Sequence, residues 1–392
     1  MRVHSTGWPT LEGVKGGRLI TVVVLLVGVA GTVHGLGASG ATVSRPGQRL
    51  EAAPRTFSVI AVGDWLSEHR VNEAAAALAA PGVRVDHGPL LAPIAPIIDS
   101  ADLAICHMET PITEPGGRYG FMGRGPYGSS LIAAPYELAG DLRRVGFDRC
   151  STASNHSWDL GSAGIESTLA ALDVAGISHT GTARSPAEAA TSVIEVRRTR
   201  VAHVSFALNS NSGFPSEPWR INRAGSGAEI IAAVAEGRRL GAEVVIVSLH
   251  VFVEMQSRPV PADRAMVDAV IAGSGPDLIV IHGPHTIQPF EVVSGTPVFW
   301  SLGNFMSAMG VPGRGRFSDL RTLDGLLASI RFTEQADGSF ASVAEPVLLC
   351  QMLAGRVVYP GLAPSATPIS DRVAGSIEAC RGRSMPVVAG LR

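Results

Sequence analysis

The sequence predicts an α/β domain built on parallel strand pairs, and three observations carry the prediction. Short, apolar, β-branched runs recur along the chain: FSVIAV at 57–62, Ala101 to Ile105, Glu243 to Leu249 and Leu278 to Ile281. Helical stretches separate them, the alternation expected of βαβ architecture. The runs also end in residues able to bind metal or move protons, and α/β domains place their ligands where strand ends share one sheet edge.

A chain of 392 residues suffices for one large domain with extensions or for two, and it can bury a full core. Its formal net charge of -2 gives no basic face, so nucleic acid is not expected as a partner. Lysine is almost absent beside arginine, a habit of genome composition without functional weight. Arg2, Lys15 and Arg18 precede an apolar run from Leu19 to Ala30, and the small-residue stretch GLGASGA follows. That is the order of a secretory signal; reading on through Val33 to Leu36 also allows a retained anchor. Residues 1–41 are therefore expected to direct export, cleaved or anchored, leaving the protein secreted or on the cell membrane. Residues 42–54 read as a linker.

The domain is expected over 55–355. FSVIAV runs into Gly63-Asp64, so a carboxylate stands at a strand end, as a ligand or as the cap of the next helix. Asn72 to Ala80 is that helix, and LLAPIAPIIDS at 90–100 covers apolar surface. Ala101 to Ile105 leads into Cys106-His107-Met108-Glu109. Residues 116–130 form a glycine-rich loop whose Arg118 and Arg124 suit an anionic substrate. Leu138 to Val145 is an amphipathic helix and Asp148 to Ala153 a strand, which ends in Ser154-Asn155-His156-Ser157-Trp158-Asp159.

Gly164 to Ala175 is a helix stopped by Gly176, and 193–208 read as two antiparallel strands. A polar loop leads to the helix Ala228 to Leu240 and the strand that ends in His250. Asp263 to Ala272 is the helix before Leu278 to Ile281, which exits through His282-Gly283-Pro284-His285. Proline fixes one backbone angle and glycine permits close approach, so this loop can aim both imidazoles at one point. Phe299 to Leu302 is a strand ending in Gly303-Asn304, and 310–316 is a second Gly/Arg loop. Leu326 to Phe332 and Phe340 to Leu349 form a hairpin about Asp337-Gly338. Beyond Tyr359 periodicity fades, and 356–392 is expected to be a weakly ordered tail. Cys106, Cys150, Cys350 and Cys380 show no CxxC spacing. Outside the cytoplasm any of three pairings is open, and buried free thiols are the expectation for Cys106 and Cys150.

The motifs GDWL (63–66), METPIT (108–113), SNHSWDLGSAGIESTLAAL (154–172), SLHVFVE (248–254), HGPHTIQPFE (282–291) and SLGNF (301–305) resemble, in this order, the CapA family of poly-γ-glutamate capsule proteins. That family is similar in fold to the calcineurin-like metallophosphoesterases. The resemblance implies a layered α/β/β/α sandwich with mixed sheets over about 57–350. It implies metal ligands at Asp64, Glu109, Asn155, His250, His282 and His285 for one or two divalent ions, Mn, Zn or Fe. His156 would assist the leaving oxygen, held by Asp159, with Glu254 and Asn304 joining Arg118 and Arg124 as substrate contacts.

The chain also departs from the pattern. Leu66 stands where the phosphoesterases carry an imidazole, His107 where the family usually has Asn, and Gly283 where a second adjacent His is common. Val251-Phe252 replace Trp-Gly. One tight metal site and a second, weak one are therefore expected, with His69 or His107 as candidates for the missing imidazole. The function implied is that of an exported protein of capsule or envelope polymer biosynthesis. It would hydrolyse phosphoester or γ-glutamyl-type bonds, acting on an anionic polymer or a phosphoester beside a membrane-bound synthase complex. The alternative is a non-catalytic protein that binds or helps export the polymer.

Overall fold

The computed structural model describes residues 53–310, 315–352, 358–361 and 370–390. The export segment 1–41, nearly all of the linker and part of the second Gly/Arg loop lie outside the described residues. Among the described residues no helix is long and apolar enough to cross a membrane.

The strand Thr56–Trp65 is the axis of an eight-stranded sheet. It pairs in antiparallel fashion with Asp324–Glu334 and in parallel with Leu103–Met108. Arg149–Ser151 and Ser178–Thr180 extend the parallel side, Phe340–Gln351 and Val358–Pro360 the other. A second sheet of six strands has Leu278–His282, Val244–His250 and Thr199–Ala207 as parallel neighbours at its centre.

A period of two decides where each side chain goes. Phe57, Val59 and Ala61 enter the core between the sheets, while Ile60 and Val62 pack under the helices His69–Leu78, Glu137–Val145 and Gly161–Ala175. In the second sheet Val244, Ile246, Leu278 and Val280 face the first sheet. Val245, Val247, Ile279 and Ile281 instead pack under the helices Ala228–Arg239 and Pro261–Ser274. Strands covered on both faces read as unbroken apolar runs. The layers are thus helix, sheet, sheet, helix.

The same period puts His107, His250 and His282 between the sheets, two residues on from Ile105, Ser248 and Val280. Strict alternation would turn Asp64 the other way, towards the helices. A β-bulge prevents this: Ala61 pairs with Ile105 but Asp64 with His107, so three steps on one strand match two on the other. Gly63 makes room for the bulge, since a Cβ there would lie 2.1 Å from the Gly303 carbonyl oxygen.

Four expectations need correction. The glycine-rich loop holds a two-stranded hairpin, Gly120–Arg124 with Ser130–Ala133. The segment expected as one strand, 299–302, crosses between the sheets: Thr296–Phe299 belongs to the second sheet, while Asn304–Met306 pairs with the first. Gly303, at φ 63°, makes the turn. The tail contains the helix Asp371–Val388, anchored by buried Cys380, Val387 and Val388 and by Arg383 and Ser384 on Asp324. All four cysteines are paired, Cys106 with Cys150 and Cys350 with Cys380. Cys106 and Cys150 are register partners on adjacent strands with Cα atoms 4.5 Å apart, inside disulfide reach.

Candidate metal centre

Where the parallel strands end, the space between the sheets stops being apolar. Asp64 divides its carboxylate: Oδ1 lies 3.3 Å from His282 Nδ1, and Oδ2 lies 3.1 Å from His285 Nδ1 while accepting the Gly283 amide at 3.1 Å. Glu109 Oε1 is 3.7 Å from His285 Nε2. His285 sits at φ 58°, a region non-glycine residues avoid, and its Nδ1 is also 3.0 Å from Asn304 Oδ1. Ligand atoms of Asp64, Glu109 and His285 lie within 4.8 Å of one another, as do those of Asp64, His107 and His282.

Five buried atoms at this place have no hydrogen-bond partner: Asp64 Oδ1, both Glu109 carboxylate oxygens, Asn155 Oδ1 and His282 Nδ1. Each such atom costs about 1–3 kcal/mol when left bare. Carboxylate, amide and imidazole groups of this kind are the donor set of a divalent cation. The residues present therefore fit a metal ion. Asp64 and Glu109 with His285, and Asp64 with His107 and His282, are the groups whose ligand atoms lie close enough together to hold it.

The electrostatics agree. Burial pushes the Glu109 carboxyl well above the usual carboxylate range. Burial opposes charge on Asp64 too, but His282 and His285 hold it well below that range. Burial would lower His285, yet Glu109 and Asp64 bring it up to about 10. Burial drops His250 to about 3 and His107 well below the ordinary imidazole value, so both rings are neutral at physiological pH.

Above the centre opens a cleft of about 630 Å³, whose lining includes Leu66, Arg124, His156, Asn211, Phe252, Glu254 and His285. His156 Nδ1 lies 2.5 Å from Asp159 Oδ2, which also accepts the Ile132 amide at 2.8 Å. His156 Nε2 receives the Asn211 side-chain amide at 3.2 Å. Of the expected substrate contacts, Arg124 and Glu254 reach the cleft. Arg118 is outside its lining, exposed and donating to the Phe121 carbonyl. Asn304 is buried and bonded to His285 and the Thr322 carbonyl, the position of a group that orients a ligand.

His69 is a surface residue beside Glu73. His107, in contrast, is buried within the histidine cluster, stacked on His282. Sequence reasoning passed over Asn211 and underweighted His107; the inward alternation Leu103, Ile105, His107 was the signal for the latter.

A family model described as bacterial capsule synthesis protein PGA_cap matches residues 58–309. The PGA biosynthesis protein CapA of Bacillus subtilis (strain 168) is 28% identical over 204 residues, covering 51% of this chain and 50% of that protein. A probable polyglutamine synthesis accessory protein of Mycobacterium tuberculosis is 28% identical over 210 residues, 50% of this chain and 53% of that one. The chain thus spans about half the length of these curated relatives. Among solved structures, a calcineurin-like phosphoesterase of Bacillus subtilis aligns over 84% of this chain and 98% of that chain, at 13% identity and a TM-score of 0.47.

Proposed function

Because this chain belongs to the bacterial capsule synthesis protein PGA_cap family, we propose that it serves, outside the cytoplasm, the making of an anionic envelope polymer of the poly-γ-glutamate kind. On this reading it is a metal-dependent hydrolase of phosphoester or γ-glutamyl-type bonds, loaded with one tightly held Mn, Zn or Fe ion and a weaker second. The observation that carries the reading is the set of bare, buried donor atoms on Asp64, Glu109, Asn155 and His282 beneath an open cleft. Two disulfides support export, since such bonds persist in oxidising compartments.

A divalent ion bound there would acidify a water and neutralise charge developing on the substrate. The protein's own groups do the rest. Asp64 is fixed by the Gly283 amide, and His285 by Asn304, so the ligand atoms are set before anything binds. Asp159 keeps the His156 proton on Nδ1 and leaves Nε2, which accepts the Asn211 amide, as the nitrogen that would give up that contact for a proton from solvent and pass it to a leaving oxygen in the cleft. Arg124 stands at the cleft wall for an anionic group.

A second reading, a polymer-binding protein without turnover, draws on Leu66, an apolar side chain lining the cleft where an imidazole is expected. Elemental analysis of purified protein together with a panel of phosphoester and γ-glutamyl substrates separates the two. Turnover that follows metal content supports the first; polymer binding by metal-free protein without turnover supports the second.

A further inference from the structure

A hydrogen-bonded chain runs from the backbone to the centre through Ser151, His107 and His250. Ser151 and His107 are register partners on adjacent strands, and His107 Nδ1 lies 2.7 Å from Ser151 Oγ. The other ring nitrogen of His107, Nε2, lies 3.1 Å from His250 Nδ1. Ser151 Oγ is also 3.3 Å from the Cys106 carbonyl oxygen, which can only accept.

That carbonyl sets the direction of the chain. A hydroxyl carries one proton, and with that proton given to Cys106 its oxygen accepts from His107 Nδ1–H. His107 Nε2 is then a lone pair and accepts from His250 Nδ1–H. His250 Nε2 is left unprotonated, next to Gly283, the residue whose amide holds Asp64.

His107 is near enough to Asp64 and His282 to be taken for a ligand itself. Ring direction argues against it. The His107 and His282 rings are stacked with centroids 3.9 Å apart and planes only 12° from parallel. An imidazole lone pair lies in the plane of its ring, so two rings stacked this way cannot both aim at one ion. Both His107 nitrogens are moreover engaged already.

We propose that His107 is a positioning residue that fixes the tautomer of His250, keeping its proton on Nδ1 and presenting the Nε2 lone pair to a divalent cation. This rests on the reading of the site as a metal centre. A ligand-orienting partner of this kind is worth about 10–100-fold in metal affinity.

The test uses the full chain labelled with ¹⁵N-histidine. In metal-free protein, long-range ¹H–¹⁵N correlation should find both His250 and His107 protonated on Nδ1. Ser151→Ala, which removes the anchor, should mix the tautomers of both rings. In Zn²⁺ titrations His107→Leu should weaken binding about 10–100-fold without lowering the number of ions bound, and His107→Gln, whose amide oxygen can replace the acceptor, should recover part of the loss. A His250 protonated on Nε2 in metal-free wild type overturns the proposal. So does a Zn²⁺-induced shift of the His107 nitrogens with loss of a bound ion in both His107 variants, the behaviour of a ligand. A wild-type protein that binds no Zn²⁺ refutes the metal reading instead, and the metal-free tautomer still decides this inference. Should His107→Leu fail to fold, the wild-type and Ser151→Ala spectra decide it alone.

Discussion

Asp64 and His107 are partners across two parallel strands, brought to the same face by one extra residue between Ala61 and Asp64. The carboxylate at the heart of the centre thus owes its direction to a bulge, and the bulge depends on Gly63, packed against the Gly303 carbonyl. Gly63→Ala should force the strands apart, cost about 3 kcal/mol as an overpacking change, and abolish metal binding. Denaturant melts and Zn²⁺ titration check it; a variant of wild-type stability and affinity would show that the bulge does not place Asp64.

Glu109 is buried with both oxygens bare, so its charge is a burden to the metal-free fold. Glu109→Gln should leave metal-free stability unchanged or raised while metal affinity falls by at least tenfold. Thermal melts with and without Zn²⁺ distinguish this from a structural carboxylate, whose loss would destabilise both forms.

Metal uptake should release protons. Burial would lower His285, but Glu109 and Asp64 hold it up at about 10, so its imidazole carries an extra proton at neutral pH. A cation must displace that proton, so affinity should rise as pH rises through the neutral range. Calorimetry in buffers of different ionisation enthalpy gives the proton count; a pH-independent affinity with no proton released would contradict it.

A different pH effect belongs to the far end of the sandwich. Arg55 bonds to both Glu334 and Glu243, and the hydrogen bonds from Arg55 hold Glu334 down at about 2. A depressed carboxylate contributes stability above its ordinary pKa and loses it as pH falls towards the folded value. The stability gap between wild type and Arg55→Met should therefore be present at pH 5 and above, shrinking from about 4.5 towards 2. Urea melts across that range test it, and a gap that widens with acid would reverse the assignment.

The cysteine pairs should stabilise the fold. Cys106–Cys150 ties together the strands that carry His107 and Ser151, and Cys350–Cys380 ties the helix Asp371–Val388 to the sheet. Replacing either pair by alanine should cost about 2–4 kcal/mol. Thiol titration of the denatured chain should find none free; four free thiols would remove the pairing.

Much of this was legible in the sequence because burial on both faces writes a strand as an apolar run, and the run's end marks the sheet edge. Asp64, Glu109, Asn155, His250, His282 and His285 could be singled out on that ground. What escaped was set by distant partners. His107 carries only the short alternation Leu103, Ile105, His107 as a local mark; the pairing with Ser151 and the stack on His282 are set by distant partners. Asn304 belongs to a segment that changes sheets, which no local pattern announces. The helix 371–388 buries few residues and relies on Cys380 and Asp324, so its apolar periodicity is faint.

Metal content is the measurement that bears most directly on the account. Protein purified without chelator, loaded with Mn²⁺ or Zn²⁺ and dialysed, should retain nearer one equivalent than two by elemental analysis, and Asp64→Ala should retain none. Wild-type protein that retains no metal after loading would contradict the centre built on Asp64, Glu109, His282 and His285.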